Sequence, residues 1–453
     1  MWPDDPAARI ATGYLAHWIY EYNQRDAVGQ RETILNDITD TTADAFLGVG
    51  LQCARCHDHK FDPLLQKDYY RLQAFFASIE HDTDFPVATA GERAAHAGQF
   101  ASWEAKTADL RRQIEELDAP YRKAAEEDAI AKFPPETRAI FEKPEAERTP
   151  FERHIAALLW RQVTFAWDDK RFASKVREPA KSKRNALMAA LKKFNSEKPE
   201  PLPASLAVTD LGPVAPPVTI PKKAALGEIA PGFLTLLDES PAPIDPVATP
   251  TTGRRSALAR WITLPDNPLT SRVIVNRLWQ AHFGRGLAVN ASDFGRLGEQ
   301  PSHPELLDWL ARYLVENGWS LKKLHRLIVA SAAYRQSSAS PIAALAATKD
   351  PENRWLWRGS IRRLDAEQLR DAVLATTGEL QWRGAGPSDE ADAPVRTIYQ
   401  KALRNRRDPV LEAFDQPERF VSSPERHRTT TSTQALLLLN GRWAQERAGV
   451  LAK

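Results

Sequence analysis

The sequence predicts a mainly α protein in which two helical domains are joined by a charged helical arm and a proline-rich segment able to form short β-strands. Three observations carry this reading. Apolar residues recur every three to four positions along most of the chain, the period of a helix that buries one face. A dozen prolines crowd into residues 199–250, where each fixes φ and removes a donor, so no helix runs there. The 453 residues exceed what one ordinary core organises, so two or three domains are expected.

The elements follow in order. Residues 1–90 are aromatic and mixed, with helical spacing in "TTADAFLGVGLQCARCHDHK" and "KDYYRLQAFFASI". Asp62-Pro63 reads as the turn between them, giving helix, cysteine-bearing end, short loop, helix. Residues 91–198 are rich in Glu, Lys, Arg and Ala; Leu110, Ile114 and Leu117 share one face, and Pro120 is expected to stop that helix early. "RTPFERHIAALLWRQV" and "SKRNALMAALKKFN" add two amphipathic helices, so a helical hairpin or arm with a solvated charged face is expected. In residues 199–250, "ASLAVTDL" and "PPVTI" are the segments able to form edge strands.

Residues 251–453 form the second helical domain, with apolar periodicity in "RRSALARWI", "SRVIVNRLWQAHFG", "HPELLDWLARYLVENG", "SLKKLHRLIVASAAYRQ", "DAEQLRDAVLATTG" and "STQALLLLNGRWAQERAGVLA". Ser302 before His303-Pro304 is the expected cap of one helix, Gly318 its terminator, and Ser320 the cap of the next. Trp261, Trp279 and Trp309 fall on apolar faces and read as core.

Composition narrows the function. A hydrophobic fraction of 43% with 26% charge describes a globular chain. A net charge of +2 with both signs abundant gives no basis for broad nucleic-acid binding. No apolar run reaches the roughly 18 residues of a transmembrane segment. The opening "MWPDDPAARIATGYLAHW" has acids where a signal peptide needs positive charge, and Pro3 and Pro6 interrupt any apolar stretch. It starts in helix-like sequence, as a chain beginning inside a domain would.

Chemistry concentrates in "LQCARCHDHKFDP", residues 51–63, which holds both cysteines of the chain and two of its ten histidines. Cys53-Ala54-Arg55-Cys56-His57 has the C-x-x-C-H spacing of covalent haem attachment. Two thioethers to the haem vinyl groups need cysteines about one turn apart, and the adjacent histidine then faces the iron as proximal ligand. Haem c is the leading expectation. Other readings stay open: zinc on Cys53, Cys56 and His57 or His59, which lacks a second ligand pair; a redox dithiol, which lacks a thioredoxin-like context; or cysteines with no cofactor. His17 or His81 can be considered as distal ligands, since Met188, the only internal methionine, lies in a charged helix. Asp58, His59, Lys60 and Asp62 can support the imidazole or a propionate, or they can cap helix ends and form the turn before Pro63.

"DITDTTADAFLGVGLQCARCHDHKFDPLLQKDYYRLQAFFAS" resembles the cytochrome-c-associated domain of unknown function found in planctomycetes and related bacteria. The stretch "NPLTSRVIVNRLWQAHFGRGLAVNASDFGRLGEQPSHPELLDWLARYLVENGWSLKKLHRLIVASAAYRQSS" resembles the planctomycete-specific domain that follows it. "RRLDAEQLRDAVLATTG" and "FDQPERFVSSPERHRTTTSTQALLLLN" continue that second match. The resemblance implies a protein that is periplasmic or otherwise exported in full-length form, with a c-type-cytochrome-like motif; an electron-transfer role would add a redox partner protein. It also implies a genomic setting beside sulfatases and polysaccharide-degrading enzymes. No settled reaction comes with the family. Because haem attachment takes place outside the cytoplasm, haem on this chain is conditional on export and maturation.

The second domain offers Asn276, Arg277, His282, Asp293 and His303, with His325 nearby in sequence order, as polar residues able in principle to do acid–base work or bind a divalent metal. They come from different elements, and no nucleophile elbow, zinc-protease motif or phosphate loop accompanies them. Helix-end and interhelix contacts are therefore the expected role. Arg426, His427 and Arg428 in "SSPERHRTTTSTQ" could hold an anionic sugar or form a solvated loop. Two functions result: an electron-transfer haem protein linked to polysaccharide breakdown, or a non-haem binding module or metal hydrolase component acting on sulfated or acidic glycans.

Overall fold

A computed structural model describes residues 6–21, 25–165, 169–245, 251–382, 390, 393–418, 420 and 423–453. The fold is mainly α, as the periodicity predicts. The chain divides into two compact units: Met1–Asp40, Gln52–His59 and Pro63–Arg260 in one, and Thr41–Leu51, Lys60–Asp62 and Trp261–Lys453 in the other. No helix among the described residues is long and apolar enough to cross a membrane.

The chain opens with α1 (Pro6–Ala11) and α2 (Ala27–Thr42). In α2 the positions Ala27, Gln30, Arg31, Ile34, Leu35 and Ile38 recur at helical spacing and are all buried. Sequence periodicity predicts one helix from about Thr41 into the cysteines, but the backbone breaks. A π-helical turn at Ala43–Leu47 ends at Gly48, whose φ is 61°. A Cβ there would lie 2.7 Å from Val273 Cγ2 and 2.9 Å from Phe294 Cδ2, so glycine is required both by conformation and by space. The chain restarts as a separate 3₁₀ turn, Leu51–Arg55, which carries Cys53.

Helix α3 (Gln66–Gln73) follows, buried on nearly every side, and leads into β1 (Ile79–Pro86). Helix α4 (Ala90–Ile130) begins with a reciprocal cap: Thr89 Oγ1 accepts from Glu92 N (3.2 Å), and the Glu92 carboxylate accepts from Thr89 N (2.7 Å). The expected stop at Pro120 does not occur; α4 runs straight through it. An internal proline costs about 3 kcal/mol, and here tertiary packing outweighs it. Helices α5 (Pro135–Glu142), α6 (Pro150–Thr164), α7 (Asp169–Lys175) and α8 (Ala180–Lys192) complete the arm. Both α6 and α8 pack against α4. Two residues before Pro120, Asp118 forms a buried ion pair with Arg184 of α8 (2.9 Å).

The proline-rich segment supplies β2 (Ala204–Asp210), which pairs antiparallel with β1 from Ile79↔Asp210 to Pro86↔Ala204, with a register shift between Asp82 and Phe85. The "ASLAVTDL" strand is therefore real, and "PPVTI" stays irregular although Val218 and Ile220 are buried. The partner strand β1 was not legible in the sequence.

Helix α9 (Arg254–Ile262) spans the boundary of the two units, and the second unit continues with α10 (Thr270–Phe283), α11 (Pro304–Glu316) and α12 (Leu321–Ala330). Val275, Trp279, Phe283, Leu307, Leu310, Leu314, Leu324 and Ile328 form their shared core. Trp261 and Trp279 are buried as expected, but Trp309 is 51% exposed and stacks on Tyr313, its neighbour one turn on. With Leu307, Leu310, Ala311 and Leu314 facing the core, position 309 lies on the far side of α11. Ser320 caps α12 through Lys323 N (3.4 Å), and Gly318 takes φ 66° after α11. Ser302 does not cap α11: His303 occupies that position, and the Ser302 hydroxyl instead meets His303 Nδ1 at 3.0 Å. The remaining helices are α13 (Ala343–Lys349), α14 (Ala366–Thr376), α15 (Pro409–Ala413), α16 (Ser432–Asn440) and α17 (Arg442–Leu451), with Gly441 breaking the last pair.

Candidate functional site

Cys53 and Cys56 are exposed free thiols on and just after the 3₁₀ turn. The turn is anchored to α3 through one carbonyl: Arg55 O accepts from Gln66 Nε2 (3.0 Å) and from the Tyr70 hydroxyl (3.1 Å). Asp58 Oδ1 accepts from Gln66 N (2.8 Å), so Asp58 fixes the start of α3. His57 is exposed, and its Nδ1 lies 2.7 Å from Asp58 O. A carbonyl can only accept, so Nδ1 carries a proton, and in the neutral imidazole Nε2 is then the nitrogen with the lone pair. That is the arrangement by which ligating imidazoles are commonly oriented, with the other ring nitrogen bonded to a carbonyl.

His59 N donates to Leu64 O (2.8 Å), closing the loop before α3. In the second unit, Asp62 Oδ1 accepts from Arg296 N (2.7 Å), which gives it a loop-tethering part.

Below the turn is a buried polar group. Tyr69 donates to Asn36 Oδ1 (3.0 Å), which also accepts from Gln73 Nε2 (2.9 Å). Asp40 lies 4.0 Å from Arg55, and burial pushes its carboxyl up to about 6 against the opposing pull of Tyr69 and Arg55. Tyr70 is pushed up to about 12 by burial and by Cys56.

Beside Cys56 opens a cavity of about 570 Å³, within the range of small-molecule and cofactor sites. Its apolar wall includes Val28, Leu35, Phe151 and Val218, while Arg31, Arg55 and Lys222 bring positive charge and Glu32 negative. The cavity is of mixed polarity, with three cationic side chains; Cys56 borders it, and Cys53 and His57 do not line it. Arg31, Phe151 and Lys222 were missed in the sequence. The available signal was a guanidinium within the otherwise mostly apolar stripe of α2.

His17 and His81 come near each other but do not line this cavity. The His81 ring packs on Trp18 at 3.9 Å, and burial, with Arg161 and His17, pushes it down to about 4.

The polar residues of the second unit do not converge. Asn276 is wholly buried and clamps one backbone unit, donating to Ala288 O (2.8 Å) and accepting from Ala288 N (2.9 Å). Arg277 donates to Asp44 O (2.8 Å) and Ser292 Oγ (3.1 Å). His282 Nε2 meets His325 Nδ1 at 2.7 Å, and burial, followed by His325 and Arg362, lowers its proton affinity. Asp293 accepts from Gly295 N (3.0 Å) within its own turn. His303 packs edge-on against Trp355 and lines a recess of only about 60 Å³. Arg426 and Arg428 are paired with Glu367 (2.5 Å) and Asp365 (3.3 Å), and His427 lines a recess beside them. Among the described residues, no group of three or more His, Cys, Asp or Glu side chains is placed to hold a metal ion.

Residues 1–81 match the family model PSCyt2, described as a protein of unknown function (DUF1549), and residues 254–453 match PSD1, described as a protein of unknown function (DUF1553). The chain carries these two planctomycete-type domains of unknown function, PSCyt2 before PSD1. No curated protein and no solved structure matches it.

The two domains occur in the order that the resemblance implies. The PSCyt2 part contains Arg31, Cys53, Cys56, His57, Gln66 and Tyr70, whereas Phe151, Val218 and Lys222 come from the chain between the two matches. The PSD1 part contains the Asn276 clamp and the His282–His325 pair.

Proposed function

We propose that Cys53 and Cys56 carry a thioether-linked haem with His57 as proximal ligand, in an exported protein that exchanges electrons with a redox partner during polysaccharide breakdown. The observation that carries this reading is the set His57–Asp58. Its Nδ1–H is committed to a carbonyl and its Nε2 is available, one residue from an exposed Cys56 that borders a cofactor-sized cavity. The name PSCyt2 suggests the same association with cytochromes. A bound haem supplies one-electron redox chemistry whose potential depends on axial ligation and burial. This chain's part is to hold and orient. Arg55 O, fixed by Gln66 and Tyr70, sets the cysteine turn, and Asp58 O sets the imidazole. His17 and His81 do not line the Cys56 cavity, so the reading assigns them no distal role.

Expression in a bacterial periplasm with cytochrome-c maturation factors tests it. The expected product is an intact mass raised by one haem and a Soret band that survives denaturation and acid–acetone extraction. Both are lost in Cys53→Ser with Cys56→Ser. Unmodified thiols on exported protein overturn the proposal.

A second reading, binding of acidic glycans by the PSD1 domain, draws on Arg406. It is exposed, makes no side-chain ion pair among the described residues, and lines two clefts of about 470 and 620 Å³. Retention on a sulfated-glycan matrix that Arg406→Ala weakens would support it; equal elution of both proteins would refute it.

A further inference from the structure

Residues 334–364, between α12 and α14, carry six Lys and Arg side chains against two acids, a net +4 where the whole chain carries +2. Both acids serve the protein's own donors. Asp350 accepts from Arg354 N (2.8 Å) and Trp355 N (2.8 Å), and Glu352 pairs with Arg285. Arg335, Lys349 and Arg354 are exposed, and none of the six cations makes an ion pair with a carboxylate among the described residues. The same stretch exposes apolar side chains. Ile342, Leu345, Trp355, Ile361 and Leu364 are each at least half exposed, and α13 has no buried residue. A short helix that buries no face gains no packing to offset the cost of ordering it. The segment is nevertheless held in shape. Gly359 N donates to Ser337 O (2.9 Å), closing its base, and a Cβ on Gly359 would lie only 2.6 Å from Gln336 O. Leu356 takes φ 54°, a costly conformation for a residue with a side chain, and packs on the core shared by α10, α11 and α12. Trp355 beside it stays 63% exposed, with the Arg354 guanidinium 5.9 Å from its ring centroid.

We propose that residues 334–364 are a docking surface for an anionic lipid bilayer, with Ile342, Leu345 and Trp355 entering the headgroup layer and Arg335, Lys349 and Arg354 meeting its phosphates. Tryptophan and aliphatic side chains among unmatched cations suit a charged membrane interface, where burial of apolar area and attraction of cations add. The segment lies on the bilayer, since α13 has seven residues and a crossing needs about 20. A second copy of the chain fits less well, because a symmetric contact would set two faces of net +4 against each other. An acidic protein would also meet the cations. A fluid bilayer differs in accepting apolar side chains from separate turns without a shaped pocket, and Ile342, Trp355 and Ile361 come from separate turns.

The test sediments the full chain with vesicles of phosphatidylcholine, with and without phosphatidylglycerol, at low and high salt. Binding should be at least roughly tenfold tighter to the anionic vesicles and should fall as salt rises. Arg335→Gln with Arg354→Gln removes two exposed cations and should weaken it about 30-fold, roughly fivefold for each. Ile342→Ser with Leu345→Ser, also at exposed positions, should weaken it as well. Brominated lipid in the anionic vesicles should quench tryptophan fluorescence, and Trp355→Phe should remove most of that quenching. Failure to sediment with anionic vesicles at low salt overturns the proposal, as does wild-type affinity in both paired variants. Binding of polyglutamate with no quenching by brominated lipid assigns the surface to an acidic protein and overturns the lipid assignment. Dimerisation that Ile342→Ser with Leu345→Ser abolishes, without vesicle binding, assigns it to a second copy and overturns the lipid assignment too. None of these readouts depends on haem, so the outcome is separate from that of the proposed function.

Discussion

Replacing Asn276 by alanine tests whether the polar residues of the PSD1 domain are structural. The side chain is fully buried and makes two hydrogen bonds to a single residue, to Ala288 O at 2.8 Å and from Ala288 N at 2.9 Å. Gly286 permits this close approach, since a Cβ there would lie 2.4 Å from Ala288 O and 2.8 Å from the Asn276 amide. Truncation leaves one donor and one acceptor buried and unpaired, at about 1–3 kcal/mol each. Asn276→Ala should therefore destabilise by roughly 2–6 kcal/mol, a large effect for one side chain. Urea unfolding followed by tryptophan fluorescence is a suitable assay, because buried Trp279 lies one turn along the same helix. Asn276→Asp sharpens it. A carboxylate can accept from Ala288 N but repels Ala288 O, so the introduced carboxyl must be protonated to fit. Its folded pKa would lie above its unfolded one, and the variant's stability would be greatest at low pH and lost as pH rises through the folded value. A shift under about 0.5 kcal/mol for Asn276→Ala, the range of an ordinary surface change, would refute the clamp and reopen a functional role.

Two further outcomes follow from buried charge. The Asp40 carboxyl is raised from 3.8 to about 6, mainly by burial, so ionising it opposes folding. Its contribution is fully favourable below the unfolded value and is lost as pH rises through about 6. Asp40→Asn should raise stability at neutral pH by roughly 1–2 kcal/mol and flatten the profile between those values; unfolding curves at acid and neutral pH check this, and a loss of stability at neutral pH contradicts it. In the arm, Arg184→Leu strands the Asp118 carboxylate beneath α8 and should cost about 3–5 kcal/mol. Adding Asp118→Leu should recover most of that, and a double variant as unstable as the single one would show that packing, rather than the orphaned charge, sets the loss.

The candidate site was legible where it is local. Cys53, Cys56 and His57 fall within five residues, so the C-x-x-C-H spacing was readable directly, and the domain order was readable from long stretches of sequence. The cavity was not legible, because its walls come from α2, α3, α6 and the proline-rich segment. Helical periodicity placed most helices but could not weigh packing against local preference, as Pro120 inside α4 and exposed Trp309 on α11 demonstrate. Ser302 illustrates the same limit at a cap, where its hydroxyl is engaged by His303.

By itself the sequence determined the mainly α class, the helical periods and the C-x-x-C-H motif, since each depends on residues a few positions apart. The tertiary structure decided the rest: that Gly48 separates the cysteines from α2, that His57 presents Nε2, and that a charged Arg31 lies buried beside a cavity. Those features depend on which distant surfaces exclude water from one another, and burial of that kind sets both the cost of a charge and the freedom of a ring nitrogen.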